Sequence, residues 1–265
     1  MITITTDFGI KDAYVGVMKG VILSINPYAQ LVDITHEIEP GNILEAAFLL
    51  KDAYEYFPKA TVHLVVVDPG VGGKRRPIAI KAGKFFFVGP DNGLFWPIIS
   101  DNKDILIVHL TNRKYFLEDI SSTFHGRDIF APVAAYISKG VHLLDMGVSI
   151  NDPVRLEIKR PMLLKNQIVG SVIRVDRFGN LITNISEKDI IECFGRLSGL
   201  EVEIGGRKIR EISKTYSDVP RGQLLALIGS SGFLEISVNR GSAYELFGKE
   251  AKGLKVYIKP NLFDS

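Results

Sequence analysis

The chain has 265 residues, 46% of them hydrophobic and 23% charged, which suits one large domain or two modest ones with a sizeable core. Thirty-two Lys and Arg against thirty Asp and Glu leave a formal charge of +2, which argues against broad binding to nucleic acid or to a membrane surface. A single cysteine, Cys193, lies among Ile190, Ile191 and Phe194; it cannot build a disulfide framework or a cysteine-rich zinc site and reads as packing.

Residues 2–6 alternate and are β-branched, which predicts a strand ending at Asp7. No charged and apolar leader precedes it, and no apolar run approaches the ~20 residues that span a bilayer, so a soluble, cytoplasmic protein is expected. Phe8-Gly9 turns the chain, and Asp12 is the expected N-cap of a helix through Ser24, with Val15, Met18, Val21, Ile22 and Ile25 at helical spacing. Asn26-Pro27 stops it. A second strand follows at 31–34. Asn42 caps a second helix, with Leu44, Ala47, Phe48 and Ala53 on one side, and a third strand runs over 62–67. This strand–helix rhythm predicts an α/β fold with a mostly parallel N-terminal sheet flanked by helices. Further strands are expected near 77–80, 85–88 and 105–109, a turn at Pro90-Asp91-Asn92-Gly93, and a helix over 129–139.

From about residue 165 the pattern changes to short strands with Gly-rich breaks, at 167–175, 181–185, 200–204, 224–228, 233–238 and 254–258. It predicts a smaller C-terminal antiparallel β-barrel or sandwich. The expected domains are 1–160 and 166–265, with the boundary near Lys159-Arg160-Pro161.

Two stretches carry candidate chemistry in the first domain. Val65-Val66-Val67-Asp68-Pro69-Gly70-Val71-Gly72-Gly73-Lys74-Arg75 is an apolar strand that ends on a carboxylate and enters a Gly-rich loop carrying an arginine. Ligands gather at the carboxyl ends of such strands. Ser121-Ser122-Thr123-Phe124-His125-Gly126-Arg127-Asp128 supplies a histidine just before a helical pattern. Together Asp68, Arg75 and His125 are able to orient and deprotonate a water. Asp7, ending the first strand, is suited to accept from ribose hydroxyls, or else to form an Asx turn or N-cap. GxGxxG, GxxxxGK[ST] and GxSxG are all absent, and the histidines at 36, 63, 109, 125 and 142 show no metal spacing, so neither a metal nor a bound cofactor is expected.

In the second domain, Asp176-Arg177-Phe178-Gly179-Asn180 reads either as a plain hairpin turn or as an Asn amide for a base edge beside the π face of Phe178. Gly229-Ser230-Ser231-Gly232 offers backbone N–H groups and hydroxyls to a carboxylate.

Taken in order, Thr5-Thr6-Asp7-Phe8-Gly9, Tyr14-Val15-Gly16, Val67-Asp68-Pro69-Gly70-Val71-Gly72, Pro90-Asp91-Asn92-Gly93-Leu94, Phe124-His125-Gly126-Arg127-Asp128-Ile129-Phe130, Phe178-Gly179-Asn180 and Leu234-Glu235-Ile236-Ser237-Val238-Asn239 resemble one family across the whole chain. It is that of the S-adenosyl-L-methionine (SAM) hydroxide adenosyltransferases, or adenosine-forming SAM hydrolases, related to the SAM-dependent fluorinase and chlorinase. The resemblance implies that SAM plus water gives adenosine plus L-methionine, and that SAM is substrate rather than cofactor. It also implies an N-terminal α/β domain, a C-terminal β-barrel and a homotrimer with inter-subunit sites. It maps the family's Asp–Arg–His triad onto Asp68, Arg75 and His125 as catalytic residues. By the same mapping Asp7 holds the ribose, Asn180 reads the adenine, and Phe178 and Tyr216 flank it. Asp176, Ser230 and Ser231 hold the methionine moiety, and Glu235 and Val238 complete the pocket. The halogenases carry an arginine near the position of Ser231, which is absent here.

A sulfonium leaves as a neutral thioether, so the chemistry needs an in-line oxygen nucleophile and no general acid. On this reading Arg75 supplies positive charge beside a developing hydroxide and keeps His125 neutral and able to accept a proton. The rival readings are a halide nucleophile on the same scaffold, a non-catalytic adenosine or SAM binder, and a nucleoside hydrolase that cleaves the glycosidic bond.

Overall fold

The computed structural model describes residues 1–261, which form two compact units, one of Met1–Glu157 and one that begins at Ile158. The first is built on a seven-stranded sheet of β1 (Ile2–Thr6), β2 (Leu31–Thr35), β3 (Val62–Val66), β4 (Pro77–Ala82), β5 (Phe85–Pro90), β6 (Ile105–Leu110) and β7 (Gly147–Ile150), in the order β2-β1-β3-β5-β4-β6-β7. Helices α1 (Tyr14–Ile25) and α4 (Ala131–Ser138) share one core with Ile2, Ile4, Leu64 and Val66. Helix α2 (Ile43–Ala53) shares the other with Val65, Val67, Ile78 and Phe87, beside the short α3 (Trp96–Asp101). Leu64 and Val66 therefore face one layer while Val65 and Val67 face the other, and every residue of β3 is buried. Each such aliphatic or aromatic side chain contributes about 1.5–3 kcal/mol through burial.

The sheet is mixed rather than mostly parallel. The pairs β1–β2, β1–β3 and β3–β5 are parallel, whereas β4–β5, β4–β6 and β6–β7 are antiparallel. The cause is the connection: only Gly83 and Lys84 separate β4 from β5, and two residues close an antiparallel hairpin but cannot cross a sheet. Asn42 caps α2 as its sequence suggests, its side chain accepting from Glu45 N, and Glu45 answers with its own carboxylate. Asp12 does not cap α1, which starts at Tyr14 after Ala13 with no side-chain cap.

The second unit holds a nine-stranded sheet of β8 (Met162–Leu164), β9 (Gln167–Val175), β10 (Leu181–Ser186), β11 (Leu200–Ile204), β12 (Arg207–Ile209), β13 (Ile212–Ser213), β14 (Leu224–Ile228), β15 (Phe233–Val238) and β16 (Lys255–Pro260). The order β12-β11-β16-β9-β10-β15-β14-β13 curls into a nearly closed, barrel-like sheet, with β8 added beside β9. It is not wholly antiparallel, because the two-residue β13 runs parallel to β14. Helix α5 (Glu187–Phe194) opens with a capping box between Ser186 and Asp189, and α6 (Ala243–Phe247) starts at Ser242. Cys193 is half-buried against this unit's core, its thiol 3.5 Å from the Leu164 carbonyl oxygen. Among the described residues no helix is long and apolar enough to cross a membrane.

Candidate active site

β1 and β3 are parallel neighbours, so Asp7 and Asp68 emerge at the same edge of the sheet. Beyond Asp68 the chain turns twice, with Val71 N donating to Asp68 O and Gly73 N to Gly70 O, and returns as Arg75. Arg75 Nε lies 2.9 and 3.0 Å from the two Asp68 carboxylate oxygens, and Nη2 is 2.5 Å from Oδ2. The side chains of both are almost wholly buried, at 9% and 4% exposure, and the guanidinium rests over the Phe130 ring at 5.3 Å. A charge-assisted fork of this kind fixes orientation as well as charge.

The second hydrogen on Nη2 goes to His125, whose Nδ1 is 2.6 Å away. A guanidinium only donates, so Nδ1 must accept, and a neutral ring then carries its proton on Nε2. Burial, and then the positive charge of Arg75, push the His125 pKa below the usual 6.5, against smaller opposing effects of Asp68 and Asp128. The ring is thus neutral, as its sequence setting suggests. It is not poised to accept a proton, because its only lone pair is engaged by Arg75. What it offers outward is an Nε2–H donor.

His125 sits immediately before a π-helical turn, Gly126–Phe130, that leads into α4. The loop ahead of it is held by Asp128, fully buried, whose carboxylate accepts from Ser121 N at 2.8 Å and pairs with Arg127. Phe124 joins Phe8 and Tyr14 in an aromatic cluster, with centroids 5.2–6.0 Å apart, that ties this loop to the one after β1. Asp7 spends one oxygen on Gly41 N at 2.7 Å, which closes the loop after β2 against Pro69.

In the second unit, the Asp176–Asn180 segment is a turn organised by one carboxylate. Asp176 accepts from Phe178 N at 2.8 Å, Asn180 N at 2.9 Å and Asn180 Nδ2 at 2.9 Å. Gly179 takes φ +81°, and a Cβ there would lie 2.1 Å from Ser242 Oγ. Asn180 is buried, while Phe178 stands 77% exposed at the tip. Glu235 pairs in register with Ile182 of the strand that follows the turn. Its burial, and then the Asp176 charge, raise its pKa, while Tyr216 OH, 3.5 Å away, works in the opposite direction. Burial, and then Glu235, likewise raise the Tyr216 pKa. Ser230 and Ser231 form the turn between β14 and β15, closed by Gly232 N to Gly229 O, and Gly229 leaves room for Glu235, whose Oε2 would lie 2.1 Å from a Cβ there.

Asp68, Arg75 and His125 therefore make one hydrogen-bonded array, with Asp7 on the neighbouring strand end. Asp176, Asn180, Tyr216 and Glu235 make a second group, beside the Ser230–Ser231 turn. Val238 stands apart: with Leu234 and Ile236 it lies on the core-facing side of β15, opposite Glu235. Several residues that shape the first array carried no assignment from sequence. These are Phe130 beneath Arg75, Gly72 against Ser122, and the Asp91-Asn92 turn. The signals they left were local ones: Gly72 as part of a Gly-rich loop, Phe130 as part of the motif after His125, and the turn as an Asp-Asn-Gly run at a strand end.

The model of the SAM hydroxide adenosyltransferase N-terminal domain matches residues 2–147, and that of the C-terminal domain matches residues 170–253. A protein of Thermus thermophilus named (R)-S-adenosyl-L-methionine hydrolase is 38% identical over 250 residues, covering 92% of this chain and 93% of its own length. A fluorinase of Nocardia brasiliensis is more distant, 27% identical over 290 residues, covering 98% of this chain and 96% of its own. The crystal structure of an uncharacterized conserved protein from Thermotoga maritima superposes with a TM-score of 0.90 at 39% identity, covering 98% of this chain and all of that one.

Proposed function

The chain belongs to the SAM hydroxide adenosyltransferase family, and on that premise we propose that it hydrolyses SAM to adenosine and L-methionine. The observation that carries the reading is one guanidinium, that of Arg75, holding the Asp68 carboxylate and the His125 ring together. Relatives that bear the name (R)-SAM hydrolase are nearer in sequence than the fluorinases, which supports water over halide as nucleophile.

In the proposed step the oxygen of water forms a bond to the ribose C5′ as the C5′–S bond breaks. The bonding pair passes to sulfur, methionine departs as a neutral thioether, and the water proton is released to solvent. Water has a pKa of about 15.7, so the catalytic task is to favour an oxygen with hydroxide character. The His125 Nε2–H and the Arg75 cation would supply it: both stabilise negative charge on that oxygen, and donors partly shielded from water do so more strongly than exposed ones. Asp68 holds the Arg75 fork in place. Asp7 would take the ribose hydroxyls with the oxygen not used by Gly41. Asn180 keeps its amide oxygen and one N–H for the adenine edge, with Phe178 and Tyr216 as flanking rings. Asp176, Ser230 and Ser231 would take the methionine moiety, with Glu235 beside them. Val238 would contribute through its backbone, its side chain being committed to the core. The reaction needs no cofactor. The homotrimer and a cytoplasmic location belong to the same proposal, and light scattering in solution checks the former.

A single turnover in ¹⁸O-water tests the reaction. Label is expected in the adenosine 5′-hydroxyl, with methionine unlabelled. Free adenine, or a 5′-halogenated product when chloride or fluoride is added, would overturn it.

A further inference from the structure

The turn after β5 grips the chain next to two members of the triad without touching the triad itself. Asn92 Nδ2 donates to the Val67 carbonyl at 2.9 Å, one residue before Asp68. Asp91 takes hold one residue after Arg75: its N–H donates to the Arg76 carbonyl at 2.9 Å, and its Oδ2 accepts from Arg76 Nε at 2.9 Å. Asp91 is a built anchor. Its side chain is 2% exposed, and its other oxygen accepts from Val154 N at 2.8 Å. Arg76 is pinned from the far side by the Asp152 carboxylate at 2.9 Å and the Asp152 carbonyl at 2.6 Å. Consecutive arginines thus have disjoint partners: Arg75 faces Asp68 and His125, and Arg76 faces Asp91 and Asp152.

Between Asp68 and Arg75 the chain is the Gly-rich loop, which on its own leaves the separation of its two ends soft. A buried ion pair is weak support for stability, so an anchor of this cost is better explained by what it orients. We propose that Asp91 and Asn92 are positioning residues for the reaction. By fixing Val67 and Arg76 they set how the Asp68 carboxylate meets the Arg75 fork, and through Arg75 they set the angle of the His125 ring. The inference rests on the triad being the hydrolytic centre, and its test separates the two.

Asn92→Asp keeps the acceptor that Leu94 N uses and removes the donor to Val67, while Arg76→Lys keeps the charge and removes the fork. Each is expected to lower kcat by roughly 10²-fold, the scale of a displacement near 1 Å at a reacting centre, with KM for SAM nearly unchanged. The ¹⁵N resonance of His125 Nδ1 should move toward that of an imidazole nitrogen without a hydrogen-bond donor. In an Arg75→Ala background, Arg76→Lys should cost nothing more, because its effect passes through Arg75. Full activity of Arg75→Ala alone would overturn the triad reading and this inference with it. A strongly impaired but measurable Arg75→Ala beside a wild-type kcat in Asn92→Asp and Arg76→Lys would overturn this inference alone. So would additive losses, or an unmoved His125 resonance.

Discussion

Gly72 approaches Ser122 so closely that a Cβ built on the glycine would lie 2.2 Å from the Ser122 carbonyl oxygen. Gly72 belongs to the loop between Asp68 and Arg75, and Ser122 to the loop that carries His125. This backbone contact is where the two halves of the array abut. Gly72 also holds φ +74°, where an L side chain costs about 1–2 kcal/mol. Gly72→Ala is expected to lose more stability than that, because the overlap with the Ser122 carbonyl adds to the backbone cost, and on the order of 10²-fold in kcat, as the loops part and the Arg75–His125 bond lengthens. Thermal melting and steady-state kinetics measure the two separately. A variant that melts early yet turns over at the wild-type rate would show that the contact serves folding alone.

On the proposed mechanism the state of His125 sets the acid limit of activity. Desolvation, followed by Arg75, depresses its pKa below 6.5, and protonation would turn Nδ1 into a donor facing another donor. The sign follows directly: the neutral ring survives below pH 6.5, so the plateau of kcat/KM should extend to lower pH before it falls. The ring C2–H resonance should titrate over the same range. Arg75→Gln, which removes one depressing influence, should move that titration upward. A ring that titrates above pH 6.5 in the wild type would contradict the arrangement.

His63 predicts the acid sensitivity of the first unit. The ring is fully buried among Tyr54, Phe57, Phe85 and Phe87, bonded to Thr3 Oγ1 at 2.8 Å, and its Nε2 has no hydrogen-bond partner. Desolvation pushes its pKa down to about 4 from 6.5. The unfolded chain therefore binds a proton before the folded one does. Stability is present in full above pH 6.5 and falls by about 3 kcal/mol as the pH drops through about 4. His63→Phe, which cannot be protonated, should lose correspondingly less over that interval. Urea unfolding at pH 7 and at pH 4.5 checks it; equal losses in the two proteins would rule His63 out.

Local chemistry was legible where neighbours in the chain decide the outcome. The Asn42–Glu45 cap, the strands at either end of the first helix and the carboxylate ending β3 follow from adjacent residues. Asp12 misled because capping depends on where the chain enters the helix, and that entry lies at Ala13. The hairpin of β4 and β5 was legible in the two-residue Gly83-Lys84 link, yet reading the strands one by one left their direction open and overstated the parallel share of the sheet. Val238 shows the same limit on one strand: period-two alternation already separates it from Glu235, once β15 is known to run uninterrupted.

By itself the sequence determined which candidate side chains stand at the strand ends and turns and in which order they occur, because motif composition and the seven-residue step from Asp68 to Arg75 are properties of the chain. It also determined that two styles of folding unit succeed one another, since periodicity is local. Only the tertiary structure decided that Arg75 donates to His125 Nδ1, which fixes the ring's proton on Nε2 and makes the histidine a donor rather than a base. That outcome depends on two loops about fifty residues apart meeting at Gly72 and Ser122 and on a third turn holding their neighbours, and contacts between distant segments leave no periodic trace in the chain that forms them.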